Sequence, residues 1–154
     1  MKALATSRQL LASWYIYFFQ LPWLPERLLI GTGGTASGLS KLLQDYAKER
    51  PEFANRDARA MASPGLFTAA VNWYRAIPLT DLRALRKKIP VPTMLVWSDG
   101  DPAVREKGAR DCARHVSGEY RFEILRGVSH WMLDEQPDVV ADLLLEWFAK
   151  HPST

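Results

Sequence analysis

A chain of 154 residues has the length of one ordinary domain, and a 47% hydrophobic share supplies the apolar matter for a core. A net charge of +3 is too small to point to nucleic acid as a partner. The single cysteine, Cys112, excludes an internal disulfide and fits a reducing, cytoplasmic setting, and the most apolar stretch, SWYIYFFQLPWLP, carries two prolines and falls short of the about 20 residues of a membrane span.

Residues 7–89 read as helices and loops. SRQLLASWYIYFFQ is helical by length and composition and is stopped by Pro22. ASGLSKLLQDYAKE places Leu39, Leu42, Leu43 and Tyr46 at helical spacing. PEFANRDARAMA is a further helix. SPGLFTAAVNWYRAI predicts a helix capped by Ser63 with Pro64 at its first position, and Phe67, Ala70, Val71 and Tyr74 on one face. The basic run Arg83, Arg86, Lys87 and Lys88 reads as a solvated helix end, with Pro90 as the stop.

Residues 90–154 change character. VPTMLVW is a continuous apolar run, as in a strand buried on both faces of a parallel sheet. DPAVREKGARDCARHV predicts a helix, YRFEILR a second strand, and PDVVADLLLEWFAK an amphipathic helix with Val139, Val140, Leu143, Leu144, Trp147 and Phe148 facing inward. Strand, helix, strand, helix is the pattern of a crossover in a parallel sheet, so the class is α/β. The two regions meet near residues 88–91, which divides the chain into 1–89 and 90–154. Two strands do not make a stable sheet alone, so the second region reads as the edge of something larger.

Ligands in open α/β sheets sit beyond the carboxyl ends of the strands. VWSDGDPAV follows the first strand and offers Asp99 and Asp101; RGVSHWM follows the second and offers His130. A carboxylate on one imidazole nitrogen fixes the tautomer and makes the other nitrogen a competent base. The competing reading is a turn aspartate and a loop histidine held by packing, since SDGD is good turn chemistry. Asp99, just before the glycine, suits the turn; Asp101, after it, suits a site. His115 falls on a helix surface and His151 in an exposed tail.

GTGGTASG offers Gly31, Gly33 and Ala36 in the spacing of a dinucleotide loop, but no strand precedes it and Leu39 stands where a phosphate-loop lysine belongs, so it reads as a flexible connection. The three histidines and one cysteine show no metal spacing. The aromatic residues between Trp14 and Trp23, and the pair Trp73 and Tyr74, read first as helix packing; a buried tyrosine hydroxyl still needs a partner, and two aimed into one cavity could hold an oxyanion.

Four motifs together resemble the second half of α/β-hydrolase-fold enzymes, above all the epoxide hydrolases: WYIYFFQLP as the first cap helix, AAVNWYRA as the later cap segment, VWSDGDPAV as the acid loop, and GVSHWMLDEQPDVV as the histidine loop and last helix. They occur in the family's order across most of residues 11–148. The resemblance implies a helical cap followed by the last two parallel strands and flanking helices of the core. It implies that Asp101 is the charge partner, His130 the general base, and Tyr15 and Tyr74 the cap tyrosines that bind and protonate an epoxide oxygen, with Tyr17 close enough to compete for the role of Tyr15. In such enzymes an elbow aspartate attacks the epoxide carbon, and the histidine then activates water to hydrolyse the resulting ester. No metal or organic cofactor is implied, and the apolar cap suggests a small apolar epoxide as substrate.

The resemblance departs in one large respect. Only MKALAT precedes the first cap helix, and no G-x-D-x-G or G-x-S-x-G occurs anywhere. The expectation is therefore a fragment with base, acid and lid but no nucleophile, inactive alone, whose exposed strand edge invites pairing with another chain. A haloalkane or haloacetate dehalogenase, or a serine esterase, would share Asp101 and His130 without needing paired tyrosines. A non-catalytic remnant, or a subunit complementing a missing N-terminal half, is a reading from a different class.

Overall fold

The computed structural model describes residues 11–81, 83 and 87–152. These form two compact units, one ending at Asp81 and the other made of the residues beyond it. Residues 7–10 of the first expected helix, and residues 82 and 84–86 of the expected basic helix end, lie outside the described residues; Arg83, Lys87 and Lys88 are exposed.

The first unit is helical: α1 (Trp14–Phe18), α2 (Leu24–Leu29), α3 (Ser37–Asp45), α4 (Pro51–Met61) and α5 (Leu66–Arg75), closed by a 3-10 turn at Ile77–Leu79. Within the described residues the first expected helix is interrupted. Leu11 and Ala12 are helical, but Ser13 leaves the helical path and its carbonyl accepts the Ile16 N–H at 3.0 Å. A run of aromatic side chains loses rotamer freedom in a helix and tolerates such a break. Helix α2 has no counterpart in the sequence expectation, which ends the first helix at Pro22 and assigns no element to the residues just after it. Pro25 occupies the first turn of a helix, where its missing N–H costs nothing. It leads into α3 through the glycine-rich turn, and α2 and α3 approach closely at Gly38, where a Cβ would lie 2.3 Å from the Leu28 carbonyl oxygen.

The expected start of α5 shifts. Ser63 and Pro64 form a turn in which the Ser63 carbonyl accepts the Leu66 N–H at 3.1 Å, and Gly65, at φ 79°, is the residue before the helix. A left-handed residue interrupts any helix begun earlier, and glycine adopts it without a Cβ clash. Phe67 and Val71 are buried, Tyr74 is half-buried, and Ala70 is exposed at the margin of the same stripe. Phe19, Leu29, Ala36, Leu39, Ala58, Phe67 and Val71 form the core, so Leu39 is a packing residue.

Side chains on α5 tie this core to the chain after α1. The Arg75 guanidinium donates to the carbonyls of Phe19 (3.1 Å) and Leu21 (2.8 Å) and grips both oxygens of Glu26 (2.8 and 3.1 Å). Gln20 donates to the Tyr74 carbonyl at 2.8 Å. The Arg75 bond, against a modest opposing effect of burial, holds the Glu26 carboxyl below its ordinary value.

The second unit is built on two parallel strands, β1 (Thr93–Ser98) and β2 (Tyr120–Leu125), paired from Thr93↔Tyr120 to Ser98↔Leu125. Between them run α6 (Glu106–Asp111) and a 3-10 turn (Cys112–His115); after them come α7 (Met132–Glu135) and α8 (Pro137–Lys150). Leu125, Val128 and Val140 form the core, with Val96, Met132 and Leu143 against it. Three expectations are corrected here. Strand β1 is not buried on both faces: only Trp97 and Ser98 are buried, because the described sheet has two strands. The helix expected over 101–116 holds only at its centre, because the Asp101 carboxylate takes the N–H groups of Ala103 and Val104 and keeps 101–105 in a loop. Helix α8 buries Val140 and Trp147, while Val139, Leu144 and Phe148 are exposed. His151 is not a free tail residue either; its ring lies 4.3 Å from that of Trp147, and its side chain is 19% exposed.

Replacing Arg75 by alanine leaves two carbonyls and a half-buried carboxylate without this donor. The expected cost is about 1.5–3 kcal/mol of unfolding free energy, read in urea melts, with little recovery in Arg75→Lys, because an ammonium cannot span four acceptors in a plane. A midpoint within error of the parent would contradict a clamping role for Arg75.

Candidate active site

Because β1 and β2 are parallel neighbours, the loops that follow them leave the sheet at the same edge. Hydrogen bonds join these loops. The Ser98 hydroxyl donates to the Ser129 carbonyl (2.6 Å), the Gly100 N–H to the Val128 carbonyl (3.0 Å), and the Gly127 N–H to Asp99 Oδ1 (2.7 Å). Backbone meets backbone at Gly100: a Cβ there would lie 2.5 Å from the Val128 oxygen. The glycine of SDGD is required by this contact between loops and not by turn geometry alone.

The docking separates the two aspartates. Asp99 faces the second loop, taking the Gly127 N–H and an Arg126 contact at 3.3 Å. Asp101 faces His130. Its Oδ2 meets His130 Nδ1 at 2.8 Å, while its Oδ1 accepts the N–H groups of Ala103 (2.7 Å) and Val104 (2.9 Å). The loop carrying those groups is itself fixed, since the Trp97 indole donates to the Val104 carbonyl at 2.9 Å.

The two members of the pair differ in access: the Asp101 side chain is 3% exposed and that of His130 40%. Burial pushes the Asp101 carboxyl up, but the His130 hydrogen bond, the Val104 and Ala103 N–H groups and the charge of His130 together outweigh it and hold the carboxyl below its ordinary value. The ionised carboxylate draws the proton of the neutral ring to Nδ1. Nε2 is then the basic nitrogen, and the carboxylate stabilises the imidazolium formed when it takes a proton. The Trp131 ring stands edge-on to the imidazole at 5.4 Å.

In the helical unit, the rings of Tyr15 and Tyr74 meet at 5.8 Å and 85°, and both pack on Phe19. Tyr17 is 59% exposed and belongs to the other face of α1. His115 is exposed on its 3-10 turn. The glycine-rich segment follows a helix and closes through an Ala36 N–H to Ile30 carbonyl bond of 3.0 Å, with Gly31 and Gly34 at positive φ. Among the described residues no group of His, Cys, Asp and Glu could hold a metal ion, and no helix is long and apolar enough to cross a membrane. Sequence reasoning missed Ser98 and Gly127. The only signal for either is position, the last residue of one strand and the first glycine after the other.

A model described as the alpha/beta hydrolase family matches residues 5–143. The chain belongs to the α/β-hydrolase family. It is 29% identical to human epoxide hydrolase 4 over 144 residues, covering 88% of this chain and 39% of that protein. It is 33% identical to the AB hydrolase superfamily protein YfhM of Bacillus subtilis over 143 residues, covering 90% and 49%. Among solved structures, it superposes on the Bacillus megaterium epoxide hydrolase in complex with an inhibitor with a TM-score of 0.72 at 18% identity, covering 96% of this chain and 55% of that one. Cfl2 from Burkholderia cenocepacia gives 0.70 at 21%, covering 93% and 50%. At such identities the structural likeness shows the fold: helices and a parallel strand pair of the α/β-hydrolase architecture. The chain spans about half, or less, of the length of these relatives.

Two outcomes follow from the geometry. Gly100→Ala forces the loops apart and costs about 1–3 kcal/mol of unfolding free energy by overpacking; an unchanged melting midpoint would refute the close approach. Asp101 has a folded pKa below its ordinary 3.8, so its stabilising contribution is complete above that value and is lost as pH falls through the lower folded value. Acid melts should therefore show the parent losing stability more steeply than Asp101→Asn as pH falls from 3.8 towards the lower folded value, and equal slopes there would rule out such a contribution.

Proposed function

We propose that this chain supplies the water-activating pair and the oxyanion-binding tyrosines of an epoxide hydrolase-like enzyme, with the nucleophile provided by polypeptide outside these 154 residues. The observation that carries the reading is the buried Asp101 carboxylate on His130 Nδ1 at 2.8 Å, on an otherwise accessible imidazole. The paired rings of Tyr15 and Tyr74 support the epoxide assignment over a dehalogenase or an esterase, neither of which requires two tyrosines. In this reading residues 1–89 act as the cap and 90–154 as the closing part of the core, in a cytoplasmic enzyme without a cofactor.

The chemistry runs in two halves. A carboxylate nucleophile attacks one epoxide carbon, the carbon–oxygen bond breaks, and the ring oxygen takes a proton from a tyrosine hydroxyl. His130 Nε2 then removes a proton from water as that water attacks the ester carbonyl. The diol leaves, the carboxylate is regenerated, and the imidazolium proton returns to the tyrosinate. Asp101 stabilises the imidazolium between these transfers. A small apolar epoxide suits an apolar cap.

The test combines this chain with an N-terminal segment that carries an aspartate elbow and follows diol formation from an apolar epoxide. His130→Ala should leave a stoichiometric ester and reduce turnover by about 10²-fold or more. Tyr15→Phe and Tyr74→Phe should each lower the rate of ester formation, whereas Tyr17→Phe should not. Turnover indifferent to both Tyr15 and Tyr74 would move the assignment to a dehalogenase or esterase, and no turnover with any such segment would favour a non-catalytic remnant.

A further inference from the structure

The loop that carries His130 is held on its entry side by the acid loop, through Gly127, Val128 and Ser129. Its exit side is held differently. The Ser129 N–H donates to Glu135 Oε2 at 3.1 Å, and the Ser129 hydroxyl bonds Glu135 Oε1. The same hydroxyl oxygen accepts the Trp131 N–H at 3.2 Å. The Glu135 N–H in turn donates to the Trp131 carbonyl at 3.0 Å. One residue therefore grips the neighbours of His130 on both sides, through its carboxylate on Ser129 and its backbone on Trp131, and closes a ring of hydrogen bonds around the histidine.

We infer that Glu135 is a positioning residue for His130, acting through Ser129 to hold the Nδ1 edge of the imidazole on Asp101. Its catalytic meaning rests on the proposed role of His130 as base; the bond it preserves is the Asp101–His130 contact itself. A carboxylate is the group that suits the place. It accepts from the Ser129 N–H and hydroxyl at once, one on each oxygen, leaving the hydroxyl oxygen to take the Trp131 N–H. A glutamine keeps one of these accepting oxygens and puts an amide donor in place of the other, so it cannot reproduce both bonds in this geometry. The spacing also separates this arrangement from an ordinary capping box, in which serine and glutamate lie three residues apart; here they are six apart and His130 lies between them. Small displacements of a base cost large factors in rate, so a device that fixes the loop on both sides of the histidine has a catalytic consequence without touching substrate.

The test reads the His130 Nδ1–H proton by NMR in the isotope-labelled 154-residue chain, with Asp101→Asn as the control that removes its acceptor. The expected result is loss of that resonance in Glu135→Ala and in Ser129→Ala, and its partial retention in Glu135→Gln, while the methyl signals of Leu125, Val128 and Val140 stay in place. An undiminished Nδ1–H resonance in Glu135→Ala overturns the inference, and so does a loss accompanied by collapse of the core methyl signals in both variants, which would mark a plain structural role. If Glu135→Ala fails to fold, Ser129→Ala decides between the same two outcomes. Diol formation in the reconstituted enzyme is a separate readout: its absence beside a Glu135-dependent resonance would refute the proposed reaction and leave the positioning role standing.

Discussion

The second unit depends on one close approach, the Gly100 backbone against the Val128 carbonyl. Parallel pairing as far as Ser98↔Leu125 delivers the two loops to one edge of the sheet, but adjacency alone does not align them. The missing side chain at Gly100 lets them touch, and the bonds from Ser98 and to Asp99 then fix their register. Asp101 can be buried as an anion only because that register gives each of its oxygens a donor. An unsatisfied buried carboxylate would neutralise or open the loop. The accessible imidazole and the inaccessible carboxylate are consequences of the same docking.

The helical unit solves a similar problem with different materials. Its core is small, with alanines at closely packed positions among two phenylalanines, two leucines and a valine. Such a core leaves backbone carbonyls at the ends of short helices in need of donors. Arg75 and Gln20 answer that need by reaching between α5 and the turn after α1. Bringing those two segments together is also what brings the ring of Tyr15 to that of Tyr74, so the hydrogen bonds that finish the helix ends also set the spacing of the two phenols.

Membership of the α/β-hydrolase family gives the two strands their context. In this chain β1 is an apolar run with only its last two residues buried, and it pairs with β2 on one side. The relatives are about twice the length of the matched region or more. The Asp101–His130 pair does not sit in the middle of these strands but beyond their ends, where contacts between loops replace contacts between strands. A two-stranded sheet is therefore enough to bring Asp101 and His130 together.

The sequence by itself determined the α/β class, α3, α4 and α8, both strands to within two residues at either end, and an Asp and a His on loops at the ends of the strands. These follow from local periodicity and from residues that start or stop an element within a few positions. Tertiary structure decided what periodicity leaves equivalent. Whether Pro25 breaks a helix or begins one depends on what α2 packs against. Asp99 and Asp101 are both turn formers two residues apart; their places before and after Gly100 favour Asp101 for a site, and the positions of Gly127 and His130 give each its partner. Tyr15 and Tyr17 lie on opposite faces of one short helix, and the face that meets Tyr74 is chosen by Arg75 and Gln20. Glu135 lies six residues from the serine it holds, outside any local pattern. Each of these choices is made by a contact that closes only when distant parts of a unit, or the two ends of a loop, come together.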